Sequence, residues 1–137
     1  MVTVDKSTKY RLCRVNVLDG GLVEAKFASS SMAAIDQFYY QAEKGLPCQQ
    51  TRQLRLLLDI SKVPTLPVIY LVQQLRRIMA GYDYPLLLRI AVVASSESNL
   101  LRREIDQLVR STQADGLIMV FSELEQAEAV RWALDKR

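Results

Sequence analysis

The chain contains no histidine, and its two cysteines, Cys13 and Cys48, stand apart without C-x-x-C spacing. The first absence removes the commonest general base and the commonest metal ligand. The second removes the zinc and redox motifs built on closely spaced thiols. No metal and no cofactor is expected. No apolar run approaches the ~20 residues a membrane helix needs, so no integral membrane segment is expected. The start, MVTVDKSTKYR, is too polar for a secretory signal, and two unclustered thiols suit a reducing, cytoplasmic setting. Dense charge is missing as well. The formal net charge is +3, and basic residues such as Arg11, Arg55, Arg76, Arg89 and Arg102 are scattered, which argues against nucleic acid as a partner. Linkers, internal repeats and low-complexity segments are absent from the sequence.

What is present is an ordinary globular balance. Half of the 137 residues are apolar and 24% are charged, enough for one domain with one core. We read residues 1–137 as a single domain, with 1–9 expected to be disordered. YRLCRVNVL alternates with period two, as a half-buried strand does. Asp19–Gly21 (DGG) is a hairpin signal, and LVEAKF returns as a second strand with Val23, Ala25 and Phe27 on its apolar side. The period then changes. Ile35, Phe38, Tyr39 and Ala42 follow helical spacing, with Ser30 or Ser31 as the cap and Gly45 and Pro47 as the stop.

LRLLLDI and LLLRIAVVA are short and nearly all apolar, as strands buried on both faces are. Between them, Leu66 to Ala80 reads as a helix ending at Gly81. NLLRREIDQLVRST is an amphipathic helix with Leu101, Ile105, Leu108 and Val109 inward. GLIMVF is the last strand, and SELEQAEAVRWALDKR the last helix, capped by Ser122. The expected fold is α/β, in the order β-β-α-β-α-β-α-β-α: a mixed, mostly parallel five-stranded sheet with an N-terminal hairpin and four helices.

Three stretches, LLLDISKVP, RIAVVA and VFSELEQAEAVRWAL, carry a resemblance. With the element order, they resemble the STAS domain of bacterial anti-sigma-factor antagonists, and more closely its divergent relatives, whose closing strand and helix pair an aromatic strand end with an Ala-x-x-Trp helix. Here those residues are Phe121, Ala129 and Trp132. At the level of fold the likeness extends to lipid-carrying CRAL-TRIO domains. The resemblance implies a regulatory module that works by binding other proteins. In switching members of the family, a strand-end Asp is followed by a loop and then an Asp-Ser pair whose serine is phosphorylated. Asp59 matches the strand end, but Pro67 and Val68 fall where Asp-Ser should be, and Ser61 and Thr65 are off the matching position.

Asp59 ends a buried strand, at the sheet edge where ligands gather in α/β proteins. It reads either as a partner contact or as an acceptor that stabilises the next turn. Along the following helix, Val68, Leu71, Val72, Leu75, Ile78 and Met79 form the core stripe, while Leu66, Ile69 and Tyr70 point away as an apolar patch. Trp132 projects opposite a core side drawn through Ala127, Val130, Ala133 and Leu134, yet its ring can fold back and pack. Tyr40 also lies off its helix's core face. Glu104 and Asp106 read as solvated, offset by Arg103 and Arg110. Ser95, Ser96 and Ser98 read as helix capping, Cys13 as a small core residue, and Cys48 as a thiol without an activating neighbourhood beyond Arg52.

These readings converge on a non-enzymatic binding or regulatory module. It contacts a protein partner, or a second copy of itself in a homodimer, through Asp59, Lys62, Thr65, Leu66, Pro67, Ile69 and Tyr70. Tyr40 and Trp132 are secondary interface candidates. The alternative is a carrier of a small apolar ligand or lipid held between sheet and helices. No nucleophile–base pair supports catalysis.

Overall fold

In the computed structural model, residues 12–43, 52–83, 85–95, 99–113 and 116–135 are described. They form one five-stranded sheet in the order β1-β2-β3-β4-β5. The strands are β1 (Cys13–Val17), β2 (Val23–Phe27), β3 (Gln53–Ile60), β4 (Leu87–Ala94) and β5 (Gly116–Ser122). The helices are α1 (Met32–Glu43), α2 (Val68–Ala80), α3 (Asn99–Thr112) and α4 (Gln126–Ala133). The α/β class, the element order and the mixed sheet expected from the sequence are all present. The expected stop of the first helix at Gly45 and Pro47, the thiol of Cys48, the serines at 96 and 98, and the stretch 1–9 lie outside the described residues.

The hairpin is antiparallel, Cys13 opposite Phe27 and Val17 opposite Val23, and it closes through a single 3-10 turn at Asp19–Gly21. Gly20 sits at φ 85°, a conformation that costs glycine little. From β2 onward every neighbour is parallel. A parallel sheet that adds strands in sequence, with right-handed crossovers, keeps all its crossover helices on one face. The core shows this division. Leu54, Leu56, Leu58 and Ile60 of β3, with Leu88, Ile90, Val92 and Ala94 of β4, pack with buried residues of α1, α2 and α3. The alternate residues Leu57, Ala91 and Val93 pack with Ala129 and Ala133 of α4. β3 and β4 are therefore apolar on both faces because a helix layer covers each.

Two segments depart from the projection. α2 begins at Val68 rather than Leu66, because Pro67 precedes it with non-helical torsions (φ −75°, ψ 82°). Leu66 is thus a loop residue that turns into the core, 1% exposed, and not part of a surface patch. The last helix is preceded by a 3-10 turn at Glu123–Glu125, which shifts its rotational frame. Ala129 and Ala133 face the sheet, whereas Ala127 is exposed. The capping by Ser122 is present: its side chain accepts from the Leu124 N–H, and the Glu125 carboxylate accepts from the Ser122 N–H. Ser31, not Ser30, caps α1 by accepting from the Ala34 N–H at 3.3 Å.

The sheet's two edges differ. On β1, Gln37 and Gln41 of α1 reach the outward backbone groups. Gln37 Oε1 accepts from the Leu12 and Cys13 N–H at 2.7 and 3.0 Å. Gln41 accepts from the Val15 N–H at 3.0 Å and donates to the Cys13 carbonyl at 2.9 Å. β5 forms the opposite edge, paired with β4 alone among the described residues.

Candidate functional site

The loop after β3 is built by short-range hydrogen bonds. Asp59 Oδ1 accepts from the Ser61 N–H at 3.1 Å and from its hydroxyl at 2.7 Å, the pattern of an Asx turn. The Val63 N–H donates to the Ile60 carbonyl, and Val63 is buried. The stabilising role read as one option for Asp59 is thus realised. Its surroundings also include a cleft of about 610 Å³ that it lines together with Ser61, Lys62, Arg14, Lys26 and Glu123. Lys62 is exposed on this side.

The next part of the loop is held from α3. Glu104 Oε1 accepts from the Thr65 hydroxyl at 2.5 Å and from the Leu66 N–H at 2.8 Å. Glu104 is therefore not a merely solvated charge balanced by Arg103 and Arg110. It stands beside the N-terminal end of α2, where a carboxylate is favoured by the helix dipole and by unpaired N–H groups. Pro67, at the cap position, supplies no side-chain acceptor of its own.

Beyond this clamp the surface turns apolar. Met32, Pro67, Ile69, Tyr70 and Glu104 are among the residues lining an open recess of about 410 Å³. Ile69 is 65% exposed and Met32 55%. Tyr70 is half-buried, and its hydroxyl donates to Asp36 of α1. That hydrogen bond, with smaller contributions from desolvation and the negative charge of Asp36, holds the Tyr70 phenol above its ordinary range. Tyr40 follows Asp36 by one turn on α1 and is 63% exposed, so it flanks the same region. Tyr39, beside it, is covered by the Arg77 guanidinium at 4.3 Å from the ring centre.

The residues picked from the sequence thus divide. Pro67, Ile69 and Tyr70 share the apolar recess, Thr65 and Leu66 are anchored to Glu104, and Asp59 and Lys62 line the separate polar cleft. Trp132 is on the opposite face of the sheet. It packs against Phe121, ring centres 6.1 Å apart, and under the Arg89 guanidinium at 4.2 Å, so it acts in packing. Sequence reasoning missed Met32 and Asp36 and read Glu104 as a solvated charge. Met32 begins a helix beside a serine cap, an unremarked position. The partners of Asp36 and Glu104 lie 34 to 39 residues away in sequence, where no spacing rule reaches. Among the described residues no group of three or more metal-ligating side chains gathers, and no helix is long and apolar enough to cross a membrane. No family model matches this chain, and no curated protein or solved structure matches it.

Proposed function

We propose that this protein is a non-enzymatic, STAS-like binding module of the cytoplasm. It docks a protein partner on the surface formed by Met32, Pro67, Ile69 and Tyr70. The observation that carries this reading is two large apolar side chains, Met32 and Ile69, more than half exposed on either side of a recess whose walls are tied down. Glu104 fixes the start of α2, and the Tyr70–Asp36 bond joins α2 to α1. A surface fixed before contact loses less entropy on binding, so its apolar area converts more fully into affinity.

A phosphorylation switch fits poorly in this chain. At the positions that resemble the family's Asp-Ser pair stand Pro67 and Val68, and Val68 is buried. The nearby hydroxyls of Ser61 and Thr65 donate to Asp59 and Glu104. The carrier alternative calls for a chamber between sheet and helices. That layer holds Leu56, Leu58, Leu71, Leu75, Ile90 and Val92, each at most 1% exposed, which favours docking over carriage.

The test is reconstitution. A partner captured by the wild-type chain is purified and its binding measured against Met32→Glu/Ile69→Asp. Binding is lost while the melting temperature stays within a few degrees of wild type. Equal affinity of that variant for the partner would sink the proposal.

A further inference from the structure

We infer that β5 is the contact edge of a homodimer, in which two copies of the chain pair β5 against β5 about a twofold axis and extend the sheet to ten strands. The inference is independent of the partner surface proposed above, because β5 is the sheet's edge strand and carries none of the residues around α2.

Three observations carry it. First, β5 runs seven residues, GLIMVFS, with no charge and no proline. Edge strands of monomers are commonly protected by lysine, proline or bulges, and this one has none of the first two. Second, its apolar side chains are exposed on both faces. Leu117 (54%) and Met119 (45%) lie on the α4 side, with Phe121, while Val120 (44%) lies on the α3 side, where it lines a recess with Ile105. A single helix docking on the sheet would cover one face. A strand laid alongside covers both, and it alone also satisfies the outward backbone N–H and C=O groups. Third, on the opposite edge Gln37 and Gln41 already occupy the Cys13 N–H and carbonyl and the Val15 N–H. Among the described residues, the edge more open to a second copy is therefore β5.

The second copy fits by symmetry. A twofold axis presents the same strand to itself in antiparallel sense, and the charge-free sequence sets no like charges opposite each other. A seven-residue strand is roughly 23 Å long. Across a sheet flanked by two helix layers, the edge-on area is on the order of 500 Å² per protomer, below the ~800 Å² of a standard specific complex. The dimer is accordingly concentration-dependent.

Sedimentation velocity of the full chain, from micromolar to millimolar, tests this. The expected result is a shift from monomer to dimer, with slower amide exchange confined to 117–121 at the high end. Leu117→Lys/Met119→Lys abolishes the shift while circular dichroism is unchanged. Should that variant fail to fold, the wild-type exchange experiment still decides: protection of β5 that does not depend on concentration overturns the inference. So does a monomer throughout the series. Ile69→Asp keeps the dimer. If Ile69→Asp loses it and the lysine variant keeps it, self-association belongs to the α2 surface and the inference fails.

Discussion

Arg55 and Arg89 are direct neighbours across the β3–β4 pairing, and both donate into the C-terminal end of α4. Arg55 reaches the Ala133 and Asp135 carbonyls at 2.9 and 2.8 Å, and Arg89 reaches the Trp132 carbonyl at 3.0 Å. Arg89 is only 3% exposed. The negative end of a helix and the face of an indole ring compensate its burial in part. We expect Arg89→Leu to cost about 3 kcal/mol and Arg55→Leu about 1 kcal/mol, because losing either leaves helix-end carbonyls without that donor. The double variant should cost less than the sum, since both arginines serve one helix end. Urea titration of the four proteins measures this coupling, and strict additivity would refute it.

Glu104 is expected to act as the clamp on the loop before α2. Glu104→Ala should lower stability by about 1–2 kcal/mol and speed amide exchange at Leu66 more than elsewhere. Unchanged exchange at Leu66 would mean that the loop holds without it.

Tyr70 makes the stability depend on alkaline pH. Its phenol is raised above the ordinary value of 10.0, first by the hydrogen bond to Asp36. The folded state therefore keeps this proton at a pH where the unfolded chain releases it. The contribution is complete below the unfolded value and disappears as pH rises through the folded one. Melting temperatures taken upward from pH 9 should fall more steeply for wild type than for Tyr70→Phe. Parallel curves would count against the linkage.

At Gly116 the backbone of β4 leaves no room for a side chain. A Cβ there would stand 1.8 Å from the Leu88 carbonyl oxygen. Gly116→Ala should therefore open the β4–β5 pairing and cost about 3 kcal/mol, read by thermal melting. Near-wild-type stability would show that the strand can shift without loss.

Much of this architecture is legible in the sequence because it rests on local periodicity. LRLLLDI and LLLRIAVVA are largely buried on both faces, and their nearly all-apolar runs say so. The roles of Arg55 and Arg89 within them are hidden, since nothing local foretells a helix end meeting a strand. The surface patch was half legible. Ile69 is exposed as its helical angle indicates, but the same projection extended the helix one residue past Pro67 and so set Leu66 outside when it lies inside. For the last helix, the 3-10 turn at Glu123–Glu125 rotated the frame, and Ala127 changed sides. Asp36 and Glu104 were illegible because each acts on a residue brought near only by the tertiary fold.

The two glutamines on α1 have a consequence for how large an assembly can grow. A sheet with two open edges can recruit chain after chain, the geometry of a fibre. Here Gln37 and Gln41 stand in for the backbone of an absent neighbour along β1. With the Cys13 N–H and carbonyl and the Val15 N–H so occupied, the β5 pairing proposed above would use the more open edge, and growth would stop at a pair. Gln37→Ala/Gln41→Ala would unseal the far side and turn a self-limiting assembly into an open-ended one, visible as light scattering that rises with time.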